Sequence, residues 1–400
     1  MMKNAQQFAF DADTRTAWKD RVEKELKGKS YEDHLIWKSL DGFEIESYQN
    51  DLPTPLPAPP VRSKPWMILE AIHATDAQEA NARALEALNA GAESIWFHKS
   101  FLGAAAEVAT KGIDQSIAPV FIRGNNIKAP YKYFLKEGAE PAFSSEKMLL
   151  DGSVFRERGA TPIQEAALLL SQGVECLDNG ALVDQLYFRS GYGSAFLTEI
   201  AKTRALRWLW ASLLQQKQIA SDGMQLIGLN LSHHYPINDE HTNILRASSA
   251  AMAAVIGGAD FVMLRPWNAH WKADDRFSQR ITRNIHNLMK EEGKLDKNLN
   301  PADGSYFIEH LTLRMAQEIW NTTQVILREG GFTAYAKCGK LKADLSTSRA
   351  TLIQSYRDEK RILLGVNKYP PSEVKAEPQP SASSYDLLPE YCHLPTEIAQ

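Results

Sequence analysis

Short apolar runs of strand length alternate along most of the chain with longer segments whose apolar residues recur every three or four positions. WMILEAI precedes a helical pattern at 76–90, SIWF precedes 102–110, and PVFI leads into an irregular connection. KMLL precedes a helix opening at Thr161-Pro162, LVDQLYF precedes 194–215, and MQLIGLNL precedes 240–256. FVML with 277–290 and SYFIE with 312–328 complete eight strand-helix units. Such alternation predicts parallel strands joined by crossover helices, and eight units fit a closed (β/α)8 TIM barrel, an α/β fold, over 65–365. An open doubly wound sheet is the alternative, but no G-x-G-x-x-G follows any predicted strand.

The pattern differs at both ends. Trp18, Val22 and Leu26 recur every four residues, Asp13 is placed to cap a helix start, and Gly28 sits where a helix would stop. LIWKSL, Asp41-Gly42 and FEIESY then read as a β-hairpin with a two-residue turn. A short helix and a hairpin are marginal alone, so residues 1–52 are expected to form an arm packing on the barrel or on another subunit. Five prolines within PTPLPAPP make 53–64 a stiff, extended linker. Residues 366–400 are rich in Pro, Ser and Glu without a periodic apolar face, and are expected to be an irregular C-terminal tail.

Composition narrows the function classes. The formal net charge of −4 comes with no local Lys/Arg cluster, so nucleic acid is not an expected partner. Cys176, Cys338 and Cys392 lack C-x-x-C spacing, which argues against a disulfide framework or zinc knuckle and fits a reducing cytoplasm. The N-terminus has no secretory h-region, and the longest apolar stretch, Ala250 to Ala259, is too short to span a membrane. A soluble, cytoplasmic protein is expected.

FSQRITRNIHNLMKEEG, PADGSYFIEHLT and the GVNKY at Gly365 to Tyr369 resemble the end of the barrel in the methylmalonyl-CoA mutase family. SGYGSAFLTEIAKTRALRWLW at 190–210 and TNILRASSAAMAAVIGG at 242–258 resemble its fifth and sixth barrel helices with their preceding turns, in matching order. LKGKSYEDHLIWKSLDGFEI resembles the arm that family members wrap around a neighbouring subunit. The resemblance covers roughly residues 13 to 369 and is strongest after 159.

The resemblance implies a barrel that holds an acyl-CoA and a separate domain that holds adenosylcobalamin through an Asp-x-His-x-x-Gly motif. The D-x-H run here, Asp239-Glu240-His241, has Ile244 at the glycine position and reads as helix capping. The chain is therefore not expected to bind cobalamin tightly by itself. Catalytic members carry Tyr-His-Met-Gln-Glu-x-Gly-Ala-Thr, whose histidine hydrogen-bonds the thioester carbonyl. The matching stretch here runs from Ser153 to Thr161, and Val154 stands in the histidine's place. Valine has no group to donate a hydrogen bond or carry a proton. No catalytic residue is expected, and the arginine-and-aromatic run by which catalytic chains grip CoA is not found; Arg265-Pro266-Trp267 resembles it in composition only.

Arg123, His233 and His234, at predicted strand ends, are the substrate-pocket candidates, with Arg189 as a further strand-end cation. Adjacent histidines on a strand point to opposite faces and no carboxylate completes a ligand set, so neither a metal nor a directly bound cofactor is expected. Trp208 and Trp210 read as packing residues, and Asp303-Gly304-Ser305 as the turn into the eighth strand.

Three functions fit. The first is the small subunit of a heterodimeric mutase, not catalytic by itself, whose large (alpha) subunit supplies adenosylcobalamin and isomerises methylmalonyl-CoA and succinyl-CoA. The second is a catalytic acyl-CoA mutase barrel served by a cobalamin domain on a separate chain. The third is an unrelated barrel enzyme centred on Arg123, His233 and His234. Weak acyl-CoA binding remains compatible with the first.

Overall fold

A computed structural model describes residues 14–123, 126–131, 135, 146–221, 223–272, 275–372 and 385–399. The arm comes first. Helix α1 (Arg15–Glu25) is capped by the Thr14 hydroxyl, one residue after the expected Asp13, which lies outside the described residues. A short helix α2 (Tyr31–Leu35) leads to strands β1 (Ile36–Lys38) and β2 (Glu44–Glu46), which pair antiparallel with Trp37 opposite Ile45. Ser39 N–H bonds to the Phe43 carbonyl (2.9 Å), so the turn holds Leu40, Asp41 and Gly42. It is one residue longer than the D-G turn expected, because Gly42, at φ 82°, takes the left-handed position of a three-residue hairpin.

Beyond the linker, eight parallel strands form one sheet: β3 (Met67–Ile72), β4 (Ser94–Phe97), β5 (Val120–Ile122), β6 (Ile127–Lys128), β7 (Lys147–Asp151), β8 (Leu186–Tyr192), β9 (Gln225–Asn230) and β10 (Phe261–Met263). Their spatial order is β5-β4-β3-β10-β9-β8-β7-β6, and a parallel bridge between Arg123 and Ile127 joins the two ends. The sheet is thus a closed barrel, as expected. Its helices include α3 (Ala77–Asn89), α4 (Ala104–Ala109), α5 (Ser153–Arg156), α6 (Pro162–Asp178), α7 (Phe196–Gln216), α8 (Thr242–Gly257), α9 (Arg276–Asn287) and α10 (Tyr306–Arg328).

One strand differs from expectation. SYFIE is the first turn of α10, and Asp303-Gly304-Ser305 leads into that helix, while the remaining barrel strand is β6, within the connection after PVFI that showed no periodicity. Five residues cannot distinguish a buried strand from the start of an amphipathic helix, and a two-residue strand leaves no pattern to read.

Alternation along the strands decides what faces inward. Leu149, Tyr187, Ile227, Leu229, Phe261 and Met263 form an interior cluster with Trp96 and Phe121. Phe121 meets the Tyr187 and Phe261 rings edge-on at 5.3 and 5.5 Å, and the Lys147 ammonium lies over Phe121 and Tyr187. The barrel axis is therefore packed with aromatic rings at its lower end. Residues of opposite parity, such as Leu150, Leu186, Phe188 and Val262, face the helices in the larger core. Trp210 packs there against Phe188 at 4.9 Å, and Trp208 is partly buried beside it.

The tail is irregular until helix α11 (Leu394–Ala399), yet its described part is docked. Tyr385, Leu388, Cys392, His393 and Leu394 are buried. Cys392 N–H bonds to the Glu157 carbonyl and Leu394 N–H to the His233 carbonyl, both at 2.8 Å. The segment crosses the face of the barrel where the strands end.

Candidate functional site

The same alternation that packs the axis places charge above it. Asp151 and Arg189 are cross-strand partners in the β7–β8 register, each two residues beyond an interior apolar residue, and they form an ion pair. Arg189 also lies over Trp96, 5.4 Å from its ring centroid. Asp151 accepts from Ser153 Oγ at 2.6 Å; its burial opposes ionisation, but Arg189 and these hydrogen bonds hold its pKa below the ordinary value. Arg265 pairs with Glu157, and Arg283, on α9, grips both Glu70 oxygens.

These residues wall a chamber of about 520 Å³ at the strand ends, within the size range of small-molecule sites. Trp96, Leu149, Leu229 and Met263 form its floor and belong to the interior cluster. His73 and His98 stack in its wall at 4.0 Å. Burial, then His73 and the arginines at 189, 265 and 123, hold the His98 imidazole well below its ordinary pKa, so it is neutral. Tyr385 and Tyr391 of the tail line the upper side, where Arg158 lies over the Tyr385 ring and Tyr391 Oη meets His270 Nε2 at 3.3 Å.

Of the three pocket candidates, Arg123 lines the chamber. It makes no ion pair or side-chain hydrogen bond among the described residues. His233 and His234 lie outside the chamber lining, buried under the tail with their rings 5.2 Å apart. They are past the end of β9, where the chain has turned, so they do not alternate across a strand; Ser232, one residue earlier, does line the chamber. Burial, and then Arg246, push His234 down to about 3. Among the described residues, no group of three His, Cys, Asp or Glu is arranged to hold a metal.

Val154 lines the chamber wall. It sits in α5, where the Arg158 guanidinium donates to its carbonyl at 2.9 Å. The following frame has structural work: Gly159 has φ 98°, and a Cβ there would stand 2.4 Å from the Arg349 Cβ. Thr161 forms a capping box with Gln164 at the start of α6.

The Asp239-Glu240-His241 run is the segment of this chain nearest in sequence to the cobalt-ligating motif of adenosylcobalamin domains that the resemblance implies. His241 precedes α8 with no side-chain cap bond, its ring lies 5.2 Å from that of Trp267, and Asp239 packs against Gly365. The capping role expected of this run is absent, and Ile244, inside α8, stands where the cobalt-binding motif has glycine, so the run does not fit that motif. Chamber residues that carried no sequence signal include His270, His286, Tyr385 and Tyr391: the first two lie on connecting or helical segments, and the tyrosines belong to a segment without periodicity. Among the described residues no helix is long and apolar enough to cross a membrane.

The family model described as methylmalonyl-CoA mutase matches residues 136–387. The methylmalonyl-CoA mutase small subunit of Porphyromonas gingivalis is 27% identical over 90% of this chain and 70% of its own length. The methylmalonyl-CoA mutase of Rhizobium meliloti is 33% identical over 57% of this chain, and the match spans 33% of that protein. The small subunit of Streptomyces virginiae is 31% identical over 59% of this chain and 40% of its own length. With a barrel built as the family's sequence blocks imply and a family match over more than half its length, the chain belongs to the methylmalonyl-CoA mutase family.

Proposed function

We propose that this chain is the non-catalytic small subunit of a heterodimeric methylmalonyl-CoA mutase, whose large subunit binds adenosylcobalamin and isomerises methylmalonyl-CoA and succinyl-CoA. Val154 carries the reading. At the position where the family's catalytic run has histidine, this wall of the chamber presents an aliphatic side chain, which can neither polarise a thioester carbonyl nor carry a proton. Two further features support it. The lower barrel axis is filled by Phe121, Tyr187 and Phe261, which leaves no passage for a long acyl-CoA along it, and the tail crosses the mouth. Within this reading the cofactor is the partner's, since the Asp239-Glu240-His241 run does not fit it.

The arm supplies a surface for that partner. Trp18 stacks on Tyr48 at 4.5 Å, and Arg15 pairs with Glu46, so α1 is held to the hairpin. No residue of α1 is fully buried, and Val22 and Leu26 remain half-exposed. A short helix held this way is stabilised further when a neighbouring chain covers its stripe.

Co-expression with a full-length mutase large subunit, followed by size exclusion, tests the proposal; a one-to-one complex is expected. The isolated chain with adenosylcobalamin is expected to show no isomerisation. Failure to associate with the large subunit would remove the reading. Turnover with a separate cobalamin protein and no large subunit would replace it with the catalytic-barrel alternative.

A further inference from the structure

Among the described residues the chamber's cations differ in how they are partnered, and Arg158 is occupied by the Val154 carbonyl and the Tyr385 ring. Arg189, Arg265 and Arg283 are each neutralised by a carboxylate in the wall, Asp151, Glu157 and Glu70. Lys128 and Lys272 pair with Glu146 and Asp275. Arg123 is left as a cation without a carboxylate partner among the described residues, facing a partly enclosed space where Coulomb attraction is screened less than at an open surface.

A second observation is independent of charge. His286, on α9, forms part of the chamber wall, is 2% exposed, and neither ring nitrogen has a hydrogen-bond partner among the described residues. Buried polar groups are nearly always satisfied, so such an imidazole calls for a ligand or ordered water. Burial, and then Lys290, push it down to about 3, so the ring is neutral and offers one donor and one acceptor. Between Arg123 and His286 the lining includes Leu69, Trp96 and Met263, an apolar stretch suited to a hydrocarbon stem.

We propose that the chamber is a binding site for a small organic acid, whose carboxylate is held by Arg123, whose short aliphatic stem lies on the apolar floor, and whose far end reaches the His286 wall. The packed axis below and the tail tyrosines above leave room for such a molecule rather than for a nucleotide-bearing thioester. Because Tyr385 and Tyr391 line the site, occupancy also steadies the docked tail. This goes beyond the subunit proposal and does not depend on it, since the site lies within this chain alone.

The test is calorimetric titration and thermal shift of the full-length chain with butyrate, succinate, inorganic phosphate and free coenzyme A, at ionic strength held constant with chloride. Saturable binding of butyrate or succinate at millimolar concentrations is expected, with phosphate and coenzyme A much weaker. Arg123→Gln is expected to weaken the organic acids by about tenfold or more, the scale of one charge-assisted hydrogen-bonded pair. Arg123→Lys keeps the charge but not the fork, and should fall between. His286→Leu should weaken succinate, which has a second polar end, more than butyrate. Circular dichroism confirms that each variant is folded, and the Arg123→Lys and His286→Leu results stand if Arg123→Gln is not. No saturable binding of either acid, binding unchanged by all three substitutions, or binding of phosphate or coenzyme A alone would each overturn the proposal.

Discussion

Thr161 donates its hydroxyl hydrogen to the Asp41 carboxylate, tying the start of a barrel helix to the turn of the arm hairpin. The same oxygen accepts from Gln164 N–H at 3.1 Å, and Gln164 Oε1 accepts from Thr161 N–H at 3.0 Å. With Gly159 pressed against Arg349, this gives the Gly-Ala-Thr frame a structural role separate from any chemistry at Val154. Thr161→Val removes both the cap and the arm contact, and should lower stability by about 0.5–2 kcal/mol, the usual range for a lost N-cap. Urea unfolding monitored by circular dichroism measures it.

Val154→His would place a titratable side chain in the chamber wall. It should not make this chain an isomerase, because the packed axis and the docked tail are untouched. The check is an isomerisation assay of the variant with adenosylcobalamin and a cobalamin protein; turnover well above the parent chain would mean that the one residue, not the barrel's shape, had silenced it.

The Lys202 ammonium is fully buried between Glu165 (2.8 Å) and Glu199 (2.6 Å) and also donates to the Gly191 carbonyl. Arg156 reaches Glu199 at 3.0 Å. Lys202→Met would leave two buried carboxylates with Arg156 as their remaining cation, so a loss of about 3–5 kcal/mol is expected, as for other broken buried pairs. The triple change with Glu165→Gln and Glu199→Gln should recover much of that loss. Chemical denaturation of both variants separates the two effects.

The tail should loosen in acid. Burial, and then the neighbouring His270, push His393 down to about 4, while a released tail would carry an ordinary histidine near 6.5. Above that ordinary value both forms are neutral and docking is unaffected. Between about 6.5 and about 4 the released tail binds a proton that the docked tail refuses, weakening docking by up to about 3 kcal/mol. Limited proteolysis across this pH range should show cleavage near 385–393 rising as pH falls, and His393→Gln should flatten the profile.

Periodicity and turn chemistry were enough to read the closed barrel, the helix-hairpin arm and most of the barrel strands, because each is encoded by residues close in sequence. That a valine stands at position 154, in the stretch that resembles the family's histidine-bearing run, was equally legible, since the identity of a residue needs no coordinates. Three features were not. The short strand β6 and the helical start of SYFIE are set by which neighbours pair with them: two residues leave no pattern, and five fit a buried strand as well as a helix start.

The pairing of Asp151 with Arg189, with Arg123 left without a carboxylate among the described residues, depends on strand register, which brings residues dozens of positions apart onto one inner face. The exclusion of His233 and His234 from the chamber, and the entry of Tyr385 and Tyr391 into it, depend on where a segment with no secondary-structure signal comes to rest. Local pattern thus determined the scaffold, and the sequence put a valine at position 154. Only tertiary packing decided that the axis is filled, that Arg123 faces the chamber without a carboxylate partner among the described residues, and that the tail covers the barrel mouth, because these follow from contacts between residues far apart in the chain.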